Sequence, residues 1–250
     1  MKRALLLLLA SCGLANAAVT EESIDHAGVK FRVVKLDPQQ VSLVWKDKNG
    51  VPYRDFETVQ TAFATQGKKV AFIMNAGIFE PGGIPSGLHR EKQKNLHPLN
   101  LAEAPGNFFL KPNGVLYLFG SSSGRTPAIV NATSFPRIEQ EFQIKSASWI
   151  EWAIQSGPLL LLDGQRHPAF NQGSTSKLHR NGVGVDVEKR LVFAITAKGE
   201  RVNFWDFSGL FLKLGCKDAL FLDGDISQMA VNPDQPVPSN QFGAMFVVSE

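Results

Sequence analysis

Cysteine is almost absent from this chain, which has two cysteines, Cys12 and Cys216, among its 250 residues. The first lies in an N-terminal segment with the features of a cleaved leader, so a mature protein would keep only one. A lone cysteine cannot form an internal disulfide, which excludes the class of small exported domains held together by disulfides. The fold must therefore depend on its hydrophobic core, and Cys216, in the apolar context LKLGCKDALF, is expected to be buried rather than reactive.

The N-terminal apolar run is also short. It covers residues 4–14 and is well below the ~20 residues that a membrane-spanning helix needs. Lys2 and Arg3 precede it, and Ala15-Asn16-Ala17 follows it with the small-x-small pattern of a signal-peptide cleavage site. The sequence therefore predicts a signal peptide at residues 1–17 and no transmembrane span.

The expected location is the bacterial periplasm or the medium, with the mature protein beginning at Ala18. One alternative remains open for the same segment. Leu9-Ala10-Ser11-Cys12 resembles a bacterial lipoprotein box, which would leave the protein anchored through a lipidated Cys12. Cleavage there would require an unusually short signal, so the soluble form ranks first.

A strong net charge is missing as well. The formal charge of +3 falls to +1 when Lys2 and Arg3 are removed with the leader (3 − 2 = 1). A nearly neutral surface does not favour nucleic acid as a partner. With 44% hydrophobic residues and no internal repeat, residues 18–250 are expected to form one domain, which we expect to be monomeric.

The apolar periodicity predicts a single α+β domain with mixed β-sheets and a few helices. Helices are predicted at Asp55–Gly67, with Asp55 as N-cap and Gly67 as the stop, and at Phe204–Leu214. The predicted strands and strand-containing runs are Phe31–Leu36, Val41–Trp45, Val70–Met74, Asn107–Leu110, Val115–Phe119, Pro127–Val130, Trp149–Leu162, Leu178–Val187, Leu191–Ala197, Ala219–Leu222 and Ala244–Val248. The Lys111–Gly114 segment predicts a hairpin between its two flanking strands.

Three of the buried strands end in a polar residue followed by small residues. FIMNAG ends in Asn75, PLLLLDG ends in Asp163 and ALFLDGD ends in Asp223. If these strands lie side by side in one sheet, the three side chains converge at one edge. A plain turn would give the same Asp-Gly pattern, so the recurrence is what favours a functional site.

The Asp223-Gly224-Asp225 segment is the centre of this predicted site. Carboxylates at the mouth of a buried strand are costly without partners, so hydrogen bonds, a cation or a substrate should meet them. Gly224 lets a ligand approach the backbone. The chemistry of the protein is expected here.

Four blocks of the sequence resemble the phosphodiester glycosidase family. They are NAGIF, SGPLLLLDG, HRNGVGVD and FLDGDIS, and they occur in the family's order between Val70 and Met229. GNFFLKPNG and NGVGV resemble the bacterial envelope branch of the family. The chain departs from the family pattern at Ala76, where the family has glycine, and at Asp225-Ile226, where it has two glycines.

The resemblance implies hydrolysis of the bond between a sugar's anomeric carbon and an esterified phosphate, with a sugar phosphate or glycan as substrate. Phosphate is already a good leaving group, so a cationic clamp and one carboxylate should suffice. The resemblance gives Arg180 the clamp, Asp223 the carboxylate, and Asp163 or Asp225 the role of second acid or base. The candidate substrate-binding residues are Asn75, Gly77, Ser156, His179, Gly224, Asp225 and Ser227.

Two other functions stay open at this point. A metal-dependent phosphodiesterase could use Asp163, Asp223, Asp225 and His179 as ligands, although the chain has no His-x-His or His-Glu-x-x-His cluster. A non-catalytic envelope glycan-binding protein could keep the pocket without the reaction. No cofactor is expected, and a requirement for a divalent cation is left open.

Overall fold

The computed structural model describes residues 19–122, 124–144 and 148–250, so the predicted signal peptide and Cys12 lie outside the described residues. The architecture is α+β, as the sequence predicts, with helices and with sheets that are antiparallel throughout the described residues rather than mixed in strand direction. The helices are α1 Phe56–Ala64, α2 Phe135–Ile144 and α3 Phe204–Lys213. The strands are β1 Glu21–His26, β2 Val29–Leu36, β3 Ser42–Val44, β4 Val70–Asn75, β5 Phe79–Glu80, β6 Ile84–Pro85, β7 His89–Glu91, β8 Lys94–His97, β9 Gly114–Ser121, β10 Gly124–Asn131, β11 Ser148–Ser156, β12 Leu159–Leu162, β13 Gln165–Arg166, β14 Asn181–Asp186, β15 Leu191–Thr196, β16 Cys216–Asp223, β17 Met229–Val231 and β18 Met245–Ser249.

The largest sheet has seven strands in the order β1-β2-β15-β14-β16-β12-β13. Its central strands are nearly continuous apolar runs because both faces are covered. One face packs against α3, where Phe207 and Phe211 meet Phe221 and Leu160 of the sheet. Strand β16, which ends at Asp223, is therefore buried along most of its length.

The opposite face of this sheet packs against two further sheets, β17-β4-β18-β3 and β10-β9-β11-β7-β8. Phe193 of the first sheet lies 5.0 Å, centroid to centroid, from Phe72 of β4 and 5.1 Å from Phe246 of β18. Trp152 of the five-stranded sheet packs edge-on against Phe246 at 5.9 Å. Aromatic pairs at these separations stabilise a core beyond the area they bury, and here they join the three sheets.

Both predicted helices are confirmed, and so are the Asp55 cap and the Gly67 stop of the first one. The Asp55 carboxylate accepts a 2.7 Å hydrogen bond from the Thr58 amide at the start of α1, and Gly67 follows the helix with φ +73°. Asn203 caps α3 in the same way by accepting from the Asp206 amide at 2.8 Å. These caps satisfy amides that have no partner within the helix.

The predicted hairpin across Lys111–Gly114 is wrong. Residues Asn107–Phe109 form a 3₁₀ turn rather than a strand. The buried Asn113 amide donates a 2.9 Å hydrogen bond to the Phe108 carbonyl, which ties the turn locally. Strand β9 then pairs with β10 and β11, partners that lie later in the sequence.

Cys216 is buried, as the sequence predicts, and burial raises the pKa of its thiol to about 12, with a further rise from the nearby Asp186 carboxylate. Because thiolate is the reactive form, Cys216 should resist alkylation in the folded protein. In a Cys12→Ser variant at pH 8, we expect labelling by iodoacetamide to be on the order of 10³-fold slower in the folded than in the unfolded protein. Equal rates would show that the thiol is exposed.

Among the described residues, none of the helices has both the length and the apolar composition to cross a bilayer.

Candidate active site

Three polar residues from different strands meet where β16 ends. The buried Asn181 amide donates to the Asn75 side-chain oxygen at 3.1 Å and to the Asn75 backbone carbonyl at 3.0 Å. The side-chain oxygen of Asn181 accepts from the Asp223 amide at 2.7 Å. Asn75 and Asp223 therefore converge, as the sequence predicts, but they do so through Asn181, which the candidate set lacks.

These residues come from two sheets rather than one. Strand β4, which ends at Asn75, belongs to the four-stranded sheet, whereas β14 and β16 are neighbours in the seven-stranded sheet. The expectation that the three Asn- and Asp-ended strands share one sheet is therefore wrong. The site lies at the seam between two packed sheets, and its asparagines bridge that seam.

Asp223 has the properties of a reactive carboxyl group. Burial raises its pKa to about 6, against a smaller lowering by the Gly224 amide, which donates to Oδ1 at 2.7 Å. Among the described residues, nothing donates a hydrogen bond to its Oδ2. A carboxylate with one fixed oxygen, one free oxygen and a pKa near neutrality can exchange a proton with a water or a substrate.

The turn that follows Asp223 is held by His179. The His179 backbone amide donates to Asp225 Oδ1 at 3.0 Å, and its ring Nε2 lies 3.0 Å from the Ser227 carbonyl. The Thr196 hydroxyl lies 2.6 Å from Nδ1 and also accepts from the Arg180 amide. These partners favour the tautomer with hydrogen on Nε2, and both ring nitrogens are then engaged in positioning the turn.

Ser227 and Ser156 are buried and serve as ties within the site. Ser227 Oγ lies 3.5 Å from the Asn75 amide nitrogen, a weak contact. Ser156 Oγ donates to the Leu222 carbonyl at 3.0 Å and accepts from the Ile78 amide at 3.4 Å. Of the predicted substrate-binding residues, Asp225 is exposed, and Gly224 and His179 are partly exposed.

Gly77 lies against this framework with no room for a side chain. A Cβ there would lie 3.0 Å from the Gln155 carbonyl oxygen and 3.1 Å from Ser156 Cβ. We expect Gly77→Ala to lower the free energy of unfolding by about 1–3 kcal/mol and to reduce activity, because neither neighbour can move freely. Gly224→Ala is the matched control, since its Cβ would meet nothing closer than the His179 carbonyl at 4.0 Å. Equal thermal stability of both variants would contradict this packing argument.

Arg180 does not lie in the open part of the site. Its side chain is 1% exposed, its guanidinium carbon lies 3.7 Å from the centre of the Phe204 ring, and Nε donates to the Val202 carbonyl at 2.9 Å. Burial lowers its pKa to about 10, with partial compensation by Asp225. The guanidinium lies between the sheet and α3, and its Nη1 is buried without a hydrogen-bond partner among the described residues. Its direct contact with a phosphate stays a prediction.

The predicted convergence of Asp163 with the other two strand ends is wrong. Strand β12 runs antiparallel to β16, and the Asp163 amide donates to Asp218 Oδ1 at 2.8 Å. Asp218 precedes Asp223 by five residues of extended strand, or about 17 Å. Two carboxyl groups that act on one glycosidic bond lie much closer than this, so Asp163 and Asp223 cannot form such a pair.

An open cleft of about 350 Å³ adjoins the Asp223 turn. It is lined by His179, Asp225, Lys198, Gly199, Glu200 and Arg201, the last four from the turn that follows β15. This turn cannot be identified as part of a site from the sequence, because TAKGER is indistinguishable from an ordinary charged surface turn. The volume of the cleft lies within the usual range of small-molecule sites.

No group of three or more His, Cys, Asp or Glu residues suited to a metal ion occurs within the described part of the chain. The four ligands considered for a metal-dependent phosphodiesterase are separated, since Asp163 lies at the opposite end of β16 from Asp223 and Asp225. The site has one reactive carboxyl group beside a polar cleft, which suits acid-base or electrostatic catalysis.

The model of the family described as phosphodiester glycosidase matches residues 68–246. The uncharacterized protein YigE of Escherichia coli K12 is 31% identical over 219 residues, which cover 87% of this chain and 77% of YigE.

Two solved structures share the fold. The catalytic domain of zebrafish N-acetylglucosamine-1-phosphodiester alpha-N-acetylglucosaminidase, auto-inhibited by its pro-peptide, superposes with a TM-score of 0.61 at 15% identity, covering 93% of this chain and 82% of that one. A hypothetical protein from Synechocystis gives a TM-score of 0.57 at 14% identity, covering 92% and 61%.

Proposed function

Because this chain belongs to the phosphodiester glycosidase family, we propose that it is an exported hydrolase that cleaves a glycosyl phosphodiester at its glycosidic bond. Family membership suggests the coarser part of this statement, a hydrolase of the glycosidase type. The sugar-1-phosphodiester substrate, the export to the periplasm or the medium and a role in envelope glycan turnover are the finer parts. Export depends on residues 1–17, which lie outside the described residues.

The observation that carries the proposal is the state of Asp223. Its pKa of about 6 leaves the group mostly ionised at neutral pH, and its Oδ2 accepts no hydrogen bond from the described residues. An ionised carboxylate can activate a water molecule or stabilise positive charge at the anomeric carbon as the phosphate departs. Since phosphate leaves without strong protonation, one such group can supply most of the catalysis.

Asp225 is the second carboxylate of the proposed mechanism. It is exposed in the cleft, and one of its oxygens accepts from the His179 amide. A single glycine separates it from Asp223, and the 2.9 Å bond from the Ser227 amide to the Gly224 carbonyl closes the turn that holds Asp225. Asp225 is placed to hydrogen-bond sugar hydroxyls or to assist proton transfer.

The experiment that tests the proposal is turnover of three substrate classes by the same purified protein. An alkyl glycosyl-1-phosphodiester should be hydrolysed, whereas bis(4-nitrophenyl) phosphate, which has no sugar, should not. A 4-nitrophenyl glycoside, which has no phosphate, should react more slowly than the first substrate. Preferred hydrolysis of the sugar-free diester would favour a phosphodiesterase, and binding of the glycosyl diester without turnover would favour a binding protein.

A further inference from the structure

We infer that the turn between β15 and α3 is the phosphate subsite of the cleft, with Lys198 and Arg201 as the groups that contact the anion. The inference rests on the proposed function and goes beyond it, because it assigns substrate recognition to a segment outside the four family-like blocks. It also replaces Arg180 as the direct phosphate contact.

The cleft lining carries two cationic side chains that are free to bind an anion. Lys198 and Arg201 are exposed in its lining, and neither side chain has an ion-pair or hydrogen-bond partner among the described residues. A phosphate joined to the anomeric carbon is separated from it by one oxygen, so it must lie beside Asp223 when the sugar is in position to react. Lys198 and Arg201 share the lining of the cleft with Asp225, two residues after Asp223, so they can meet the phosphate there, Arg201 by a bidentate contact and Lys198 as a point charge.

Backbone hydrogen bonds hold the turn between β15 and α3 in place. The Glu200 amide donates to the Ala197 carbonyl at 3.0 Å, and Gly199 has φ +85°, a combination that fits a type II turn. Val202 and Leu178 exchange two backbone hydrogen bonds of 2.9 and 3.1 Å. The turn is therefore fixed at both ends, and a fixed turn holds its charges toward the cleft at a lower entropic cost than a free loop.

Arg180 positions the turn between β15 and α3. Its Nε donates to the Val202 carbonyl at 2.9 Å and its Nη2 lies 3.4 Å from the Ser176 carbonyl, so the guanidinium connects the segment before β14 with the end of the charged turn. The same residue donates its backbone amide to the Thr196 hydroxyl at the start of this connection. Arg180 acts on the phosphate through the turn that it braces.

The two carboxylates of the cleft, Asp225 and Glu200, set the orientation of the ligand. An anion avoids them, whereas sugar hydroxyls donate hydrogen bonds to them. A glycosyl phosphodiester presents both kinds of group, one at each end of its reacting bond. The mixed charge of the cleft thus suits a ligand with a neutral polar part and an anionic part better than it suits a simple anion.

The test is the double variant Lys198→Ala/Arg201→Ala, compared with Lys48→Ala, a loss of one exposed turn lysine outside the cleft. For a glycosyl phosphodiester, the double variant should raise KM by at least about 10-fold, the loss of one or more charge-assisted contacts, with kcat changed less than about 3-fold. Thermal melting should match the parent, since both side chains are exposed. An unchanged KM in the double variant would overturn the inference.

A binding experiment tests the phosphate subsite independently of the proposed hydrolysis. Inorganic phosphate is titrated into the parent and the variants while amide resonances are followed by NMR. If no diester is turned over but phosphate shifts the 197–202 resonances in the parent and not in the double variant, the subsite stands and the proposed hydrolysis fails. If diesters are hydrolysed but phosphate perturbs other residues, the subsite is wrong and the proposed function stands.

Discussion

Replacing Asp223 by asparagine should lower kcat for a glycosyl phosphodiester by on the order of 10² to 10⁴-fold, the contribution of a positioned acid or base. The change is nearly isosteric and keeps an oxygen that can accept from the Gly224 amide. It removes the ionisable group, so the loss should appear in kcat rather than in folding. Near-parental kcat in a folded variant would remove Asp223 from the mechanism.

The same variant should lose activity without losing stability. The pKa of Asp223 is raised in the folded state from 3.8 to about 6, so the carboxyl group destabilises the fold as pH rises from about 4 to about 6 and keeps that cost above pH 6. The cost is on the order of 2–3 kcal/mol. Asparagine has no such cost, and Asp223→Asn should therefore be at least as stable as the parent at pH 7. A large loss of stability would point to a purely structural carboxylate.

The pH profile supplies a second readout of the same group. If the ionised form is active, kcat/KM should fall about tenfold per unit as pH drops below about 6, and this limb should be absent from Asp223→Asn. Asp218→Asn is the matched control, because Asp218 also has a pKa raised by burial but lies at the other end of β16. Loss of the acidic limb in the Asp218 variant would contradict the assignment to Asp223.

Asn181→Ala should have the second largest effect. It removes the donor to the Asn75 oxygens and leaves the Asp223 amide without its acceptor, so a buried polar network loses its central member. We expect the free energy of unfolding to fall by about 2–4 kcal/mol, the cost of at least two unpaired buried groups. Activity should fall by at least about 10-fold, because the Asp223 backbone is no longer fixed.

Asn232→Ala separates a general loss of stability from a loss of the site. Asn232 donates to the Val19 carbonyl at 2.8 Å and follows β17 at the end remote from Ser227. Its replacement should also destabilise the fold, while kcat at a temperature where both variants are folded should stay near the parental value. If both asparagine variants lose activity in proportion to their stability, the network has no special role in catalysis.

Local features of the fold could be read from the sequence because they depend on neighbours in the chain. The Asp55 cap, the Gly67 stop and the apolar stripe between them specify α1 without reference to the rest of the molecule. The apolar run before Asp223 specifies a buried strand in the same way. Cys216 is buried because its context is apolar on both sides.

The placement of strand ends could not be read from the sequence, because it depends on pairing between distant segments. Two antiparallel neighbours end at opposite ends of the sheet, and this is why Asp163, at the end of β12, lies far from Asp223, at the end of β16. The face on which a residue lies is also decided by register. Arg180 and Asn181 are adjacent in HRNGVGVD, yet one packs against Phe204 toward α3 and the other reaches Asn75 in another sheet.

The fate of the oxygen from water is the most direct test of the central claim, which is cleavage between the anomeric carbon and oxygen. Hydrolysis of a glycosyl-1-phosphodiester in H₂¹⁸O would be followed by mass spectrometry of the released phosphate monoester, whose oxygens do not exchange with water under these conditions. The account predicts a phosphate product without ¹⁸O, because water attacks carbon. Incorporation of one ¹⁸O into the phosphate would show attack at phosphorus and would contradict it.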